Sequence, residues 1–337
     1  MIAVGAATLL YERSREPVYQ GKTLTTWLDE YCSNHWSSYP DRDREAQAAI
    51  RQIGTNEIPH YLEMLSRHAS PIKMKLLACI PPAWNRRFHI PTTNEYQNKL
   101  EPVRKHGAYG LIALGTDAKP AIPALLARLN DPKEEPRVRY FAIWTIYCLG
   151  PPARDALPSV IKCLNDREGS VRSDAILALG SIHEDAGRVV PLLVDIIEKN
   201  FTNRYNVGEV WFAVDSLAKF KGEAASTVPV IVKCLSHSEL AIRGAAILAL
   251  GDIRAQPELA VPALIEHLKT TETKTLGDKR MIYTYTFSAL SSFGSEARAA
   301  VPVLLQSIND DDEDIRMNAR AVLKSIEPDA AAKAEYK

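Results

Sequence analysis

One proline recurs in this chain in a single setting, and that setting leaves the fold little freedom. It stands in AIPALLARL (Pro123), ALPSVIKCL (Pro158), VVPLLVDII (Pro191), TVPVIVKCL (Pro229), AVPALIEHL (Pro262) and AVPVLLQSI (Pro302). EIPHYLEML around Pro59 is an outlying seventh copy. Between Pro123 and Pro302 the steps are 35, 33, 38, 33 and 40 residues, the period of an array of supersecondary units. The gap of 64 residues between Pro59 and Pro123 leaves room for one more degenerate copy.

Within each copy the apolar places are constant. Before the proline stand Ile58, Ile122, Leu157, Val190, Val228, Val261 and Val301. Two residues after it come Tyr61, Leu125, Val160, Leu193, Ile231, Leu264 and Leu304, followed by a further aliphatic. Six after it come Leu65, Leu129, Leu164, Ile197, Leu235, Leu268 and Ile308. Counted from the residue before proline, the offsets 0, 3, 4 and 7 trace one stripe of an α-helix. Proline is tolerated near a helix start because the amide it lacks would have found no partner within the helix. Each proline is therefore expected to open a second helix.

A first helix precedes each of these. AILALG ends at Gly180 and at Gly251, GLIALG at Gly115, IYCLG at Gly150 and SSFG at Gly294. Glycine there predicts a left-handed helix terminus. Gly-to-Pro distances are 5 (from Gly54), 8 (from Gly115, Gly150 and Gly294) or 11 (from Gly180 and Gly251). The copy at Pro229 has Lys221 in the eight-residue place and Gly222 one later, so its turn is expected to differ.

These residues resemble the HEAT repeat, most closely the short HEAT-like repeats of lyase-type bacterial proteins. The likeness rests on VRSDAILALG at Val171–Gly180, IRGAAILALG at Ile242–Gly251 and the proline column, and it covers roughly residues 45–327. It implies an all-α, right-handed solenoid of seven or eight helix pairs, an α-α superhelix of the armadillo type. It also implies an Arg–Asp ladder between neighbouring repeats. Arg172, Arg243 and Arg316 match the arginine, and Asp166 and Asp310 the acid. The ladder is expected to break or shift where His237 replaces the acid, and where Val138-Arg139 arrives late although Arg137 is in place.

Before the array, Pro17-x-Tyr19-x-Gly21-Lys22-x-Leu24-x-x-Trp27-Leu28 resembles a lead-in found in uncharacterised bacterial proteins, many with an N-terminal membrane anchor. Residues 1–16 are then an apolar segment, 17–44 a lead-in helix, 45–327 the solenoid and 328–337 a polar tail. The terminal helix of the array is expected at Asp314–Ile326. Met1–Leu10 carries no charge but falls short of the ~20 residues of a membrane span. It reads as a frayed helix or the end of a truncated anchor. The lead-in favours the anchor, and with it a cell-envelope location over the cytoplasm.

Five cysteines, scattered and without CxxC spacing, exclude a disulfide framework or zinc knuckle. Cys163 and Cys234 share one place in the repeat, and Cys148 stands where its sisters have Ala178 and Ala249. All three are expected to be buried packing residues. Among HEAT-like folds, deoxyhypusine hydroxylase holds iron with several His-Glu pairs. Here there is one, His183-Glu184, in the turn after Gly180. No nucleophile elbow, phosphate loop or dinucleotide fingerprint is present. The expectation is a chain with no catalytic residues, no cofactor and no metal.

With 41 basic and 41 acidic residues the net charge is zero, against the excess of a nucleic-acid binder. Four places after each proline the stripe should turn to solvent, at Glu63, Ala127, Lys162, Asp195, Lys233, Glu266 and Gln306. This column sums to −1, unlike a phosphate-binding groove, and its alternating signs suggest ion pairs between repeats. The function expected is a non-enzymatic scaffold or adaptor that binds another protein on the concave face. The alternatives are a structural subunit held by its edge loops and an enzyme of other chemistry. Partner-binding candidates are Lys162, Asp195, Lys233 and Glu266 with neighbouring His267, and Tyr205 and Trp211 at the long connection Lys199–Val207. Trp84, Arg86 and Arg87 join them from the irregular stretch Pro81–Lys99, which is expected to replace a lost helix. The connection Lys269–Arg280 is followed by Tyr283, Tyr285 and Phe287; the aromatics after both connections are expected to fill a wedge or form a rim. No nucleic acid is expected, and membrane contact only through the anchor.

Overall fold

The lead-in begins as a hairpin rather than a helix. Val18–Tyr19 (β1) pairs antiparallel with Lys22–Thr23 (β2). Its two turn residues, Gln20 and Gly21, have φ of 50° and 77°, the signature of a tight primed turn. Leu24–Asn34 (α1) follows at once. Trp27 donates its indole N–H to Tyr19 O at 3.1 Å, and Lys22 lies 4.1 Å from the Trp27 ring and 2.7 Å from Glu30. The Tyr-x-Gly-Lys…Trp spacing is thus a folding unit, with Leu24, Trp27 and Leu28 fully buried.

These features belong to a computed structural model that describes residues 16–34, 40–270 and 275–335. The chain is an all-α solenoid of helix pairs, in two compact units, Met1–Ala178 and Leu179–Lys337. The expected apolar segment of residues 1–16 lies, but for Glu16, outside the described residues, as do residues 271–274 of the second long connection. No described helix is long and apolar enough to cross a membrane.

The first unit continues with Pro40–Ile53 (α2) and Ile58–Leu65 (α3), then three short helices, Pro71–Ala78 (α4), Pro82–Phe88 (α5) and Thr93–Asn98 (α6). Glu101–Leu114 (α7) pairs with Ile122–Asn130 (α8), and Pro136–Leu149 (α9) with Leu157–Cys163 (α10). The boundary falls inside Gly169–Ile182 (α11). The second unit holds Ala186–Asn200 (α12), Val207–Lys219 (α13), Val228–Cys234 (α14), Leu240–Ile253 (α15) and Pro257–Thr270 (α16). It ends with Leu276–Phe293 (α17), Val301–Ser307 (α18), Glu313–Ile326 (α19) and Pro328–Glu335 (α20). The expected polar tail is therefore helical at its start.

The core is the proline-phased stripe. All seven residues two places after proline, from Tyr61 to Leu304, have 0% exposure. Five of the prolines sit in the first turn of α3, α8, α10, α14 and α18, where no amide bond is lost. Pro191 and Pro262 depart from expectation: they lie inside α12 and α16. Their Gly-to-Pro spacing of 11 adds residues that start the second helix a turn earlier.

The same two copies reassign their glycines. Gly115, Gly150 and Gly294 end first helices at φ near 60° as expected. Gly180 and Gly251 are instead inside α11 and α15, and there the lack of a side chain matters. A Cβ on Gly180 would meet Ser216 at 2.7 Å, and one on Gly251 the Ala289 Cα at 2.8 Å. His183, Asp185, Arg254 and Gln256 take the positive φ in their place. Lys221 does so in the glycine-poor copy, at φ 49°, and a 3-10 segment follows as it does after Gly115 and Gly294, so that turn does not differ.

Candidate interaction surfaces

The outward column is where its spacing places it. In the first unit Glu63, Ala127 and Lys162 are exposed; in the second, Asp195, Lys233, Glu266 and Gln306 are. The expected pairing of charges between repeats is not what these residues do in the second unit. Asp195 pairs with Lys199 one turn along its own helix at 2.5 Å, and Lys233 lies 4.8 Å from the Phe201 ring. Asp195 thus stays within its own helix, while Lys233 reaches back to a ring of the preceding repeat rather than to a carboxylate.

His267, proposed beside Glu266 as a contact, is buried. It occupies the place of Cys163 and Cys234, both also buried, one residue past the outward column. That register was readable from the shared place of the two cysteines. Burial, then the nearby Arg243 cation, push the His267 imidazole down to about 4. His267, Glu266, Arg243 and His237 border a cavity of about 490 Å³ in the second unit. Cys148, expected to be a third buried packing residue, is instead exposed at the end of α9.

The turns between repeats carry the ladder, but through other arginines. Where the ladder is expected to break or shift, it shifts: Arg139 grips Asp166 through Nε and Nη2 at 2.9 and 3.0 Å. Burial alone would raise the Asp166 carboxyl, but the Arg139 bonds and the Glu168 amide outweigh it and hold it below the usual carboxylate range. Arg104 reaches Glu135 at 2.6 Å, and Arg280 reaches Asp312 at 2.7 Å. Arg243 and Arg316 donate instead to carbonyls of the turns before their own helices, as Arg172 also does. Arg137 pairs with Glu101 at 3.6 Å.

His237 shows why one acid could be replaced. Asp131, Asp166 and Asp310 each accept the amide two residues on. His237 Nδ1 accepts the Glu239 amide in the same way, at 3.0 Å. Its Nε2–H therefore points outward as a donor and meets the Phe201 carbonyl at 2.8 Å. The site facing Asp166 holds a cation; the site facing His237 holds an acceptor, so a carboxylate would be repelled.

Residues 66–100 depart furthest from expectation. They neither replace a helix nor form an extra pair. α3 packs directly on α7, so closely that a Cβ on Gly107 would stand 2.4 Å from Tyr61 O and 2.5 Å from Leu65 N. The excursion leaves and returns at one point, where Arg104 Nε donates to Arg67 O at 2.7 Å. Trp84 and Arg87 lie on α5 and are exposed, with Arg87 5.7 Å from the Phe88 ring. Arg86 is on α5 as well; its side chain lies outside the described residues. Ile72 and Leu76 on α4 and Phe88 on α5, not singled out by the sequence, are exposed as well.

At the connection after α12, Tyr205 is 97% exposed. Trp211 and Phe212, which follow it, are half-buried and meet edge to face at 5.1 Å. Phe287, after the second long connection, is buried against Tyr283. These rings fill space; Tyr205 displays itself. Among the described residues no group of three or more His, Cys, Asp or Glu side chains is placed to hold a metal ion.

Stacked helix pairs with a buried proline-phased stripe and charged outer columns define an α-solenoid repeat protein. The family model for HEAT repeats matches residues 122–206 and 211–276. No curated protein matches the chain. Among solved structures, the karyopherin Kap121p bound to the extreme C-terminus of the protein phosphatase Cdc14p is similar at a TM-score of 0.55 and 13% identity. That match covers 90% of this chain and 33% of the karyopherin. A Kap121p mutant gives 0.52 at 13% identity, with the same coverage. The complex of CpcE and CpcF of phycocyanin lyase from Nostoc sp. PCC7120 is 22% identical over 68% of this chain and 87% of that one, at a TM-score of 0.39. The karyopherin likeness shows the fold alone.

Proposed function

We propose that this chain is a non-enzymatic adaptor that binds another protein through the outer faces of its second helices. The observation behind this reading is the pairing of two columns two residues apart. One is fully buried in all seven copies; the other is exposed in all seven and carries charges of both signs. Repeats of this kind stack into extended faces that suit a protein chain better than a small molecule. The karyopherin solved with a phosphatase C-terminus is a solenoid holding a protein segment.

The test uses the immobilised full-length chain and its native lysate. A defined partner should be enriched by the wild type and lost when Lys162→Glu, Lys233→Glu and Glu266→Lys are combined. Enrichment of nothing reproducible, or of a partner indifferent to the triple change, overturns the reading. A second reading, a structural subunit held by its edges, rests on the exposed Tyr205; loss of the partner on Tyr205→Ala alone would favour it.

A further inference from the structure

From Arg67 to Asn94 the chain has no Asp or Glu, while Arg67, Lys73, Lys75, Arg86 and Arg87 supply five positive charges. In a protein whose charges sum to zero, that is its own local field. The flanking Glu95 is engaged in a capping box with Thr92 at the start of α6. Onto this basic ground the excursion sets four large apolar side chains. Ile72 and Leu76, one turn apart on α4, are 74% and 64% exposed. Trp84 and Phe88, one turn apart on α5, are each 58% exposed and meet edge to face at 6.2 Å. Leu77 points the other way and is buried. Single exposed apolar residues are ordinary; four within 17 residues are not.

Shape decides what they meet. A partner helix is usually received in a concave apolar groove. The cavity beside α5 has a mixed lining, with Ile90, Pro91 and Pro102 beside Asn85, Glu95 and Lys99, and none of the four borders it. The apolar side chains project. Projecting Ile, Leu, Trp and Phe interleaved with Lys and Arg suit a boundary between acyl chains and anionic headgroups. Helices of 8 and 7 residues can enter that boundary but not span it. The clamp of Arg104 on Arg67 O fixes the base of the element to the solenoid.

We propose that residues 71–88 dock this protein on an anionic lipid surface, with Ile72, Leu76, Trp84 and Phe88 seated in the interface and Lys73, Lys75 and Arg87 against the headgroups. The proposal is independent of the adaptor reading, since no residue of the second-helix column takes part.

Flotation of the full-length chain with vesicles tests it. The wild type should float with equimolar phosphatidylglycerol and phosphatidylcholine but not with phosphatidylcholine alone. Trp84→Ala with Phe88→Ala, and separately Lys73→Glu with Lys75→Glu and Arg87→Glu, should each lower partitioning about tenfold or more. Raising salt from about 0.1 M to about 0.5 M should do the same. Tyr205→Ala should leave partitioning unchanged. No flotation, equal flotation with neutral vesicles, or variants that float like the wild type would overturn the proposal; the last would place the binding elsewhere, such as in residues 1–10. Binding of poly-glutamate by the wild type without any flotation would also overturn it, in favour of an acidic protein segment.

Discussion

The helix pair of residues 240–270 and the excursion of residues 66–100 are close in length and both largely helical, yet they treat apolar residues in opposite ways. The pair buries Ile242, Ile247, Leu250, Ile253, Val261, Leu264 and Leu268. The excursion buries Leu77 and leaves Ile72, Leu76, Trp84 and Phe88 in solvent. Helix formation as such does not separate them. Stripe length does: in the pair, proline stands inside a 14-residue helix that keeps its period, whereas Pro71, Pro81, Pro82 and Pro91 cut the excursion into helices of 6 to 8 residues. The repeat helices α10, α14 and α18 are as short, but each belongs to a whole copy of the 0, 3, 4 and 7 stripe; the excursion's helices carry no complete copy, and they stay on the surface.

The sharpest way to break this comparison is to truncate the stripe. Leu264→Ala leaves a cavity at a site with no exposure, and unfolding by urea should show a loss of about 2–5 kcal/mol. A loss below about 0.5 kcal/mol would make the pair no better packed than the excursion.

The comparison also marks what could be read in the sequence. A period held over seven copies fixes which residues are buried, because each copy votes on the same columns. Placement within turns was less legible. AILALG at Gly180 and GLIALG at Gly115 look alike locally, yet one glycine lies inside a helix against Ser216 and the other ends one. The difference comes from three residues added downstream and from a neighbouring helix, neither visible in the motif. Arg139 arrives two places late, and whether that breaks the ladder or only shifts it depends on the reach of a long side chain, which the spacing does not give. The excursion has no sister copy to vote with it. Its 64-residue gap fitted a degenerate repeat equally well, and only the contact of Gly107 with the α3 backbone excludes one.

Acid should strain the pair specifically. His267 stays neutral in the fold down to about 4, below the ordinary histidine value of 6.5. The unfolded chain therefore binds a proton that the folded chain refuses between pH 6.5 and about 4. Stability contributed here is whole above 6.5 and falls as the pH drops through that window, by about 3 kcal/mol in all. The gap between wild type and His267→Leu, measured by denaturant unfolding at several pH values, should change by that amount. A constant gap would mean the imidazole is not buried as described.

A smaller effect tests the turn that enters the pair. His237→Asp restores the acid of the sister repeats but sets a carboxylate against the Phe201 carbonyl. It should cost about 1–3 kcal/mol, and His237→Asn less, because an amide can still donate. If Asp proves neutral, the turns would be interchangeable and the donor polarity at His237 without consequence.

The smallest effect belongs to the excursion. Trp84 is the largest of its exposed apolar side chains, and in a repeat helix a Trp→Ala change would cost about 3–5 kcal/mol. Here the ring is 58% exposed and meets Phe88 edge to face, so folding removes much less of its area from solvent than at a buried site. Trp84→Ala should shift stability by no more than about 0.5 kcal/mol in thermal or urea unfolding. Its null effect on folding is what separates a side chain kept for contact from one kept for packing. A loss above about 2 kcal/mol would show that α5 packs as a repeat helix does, and the contrast between the two regions would collapse.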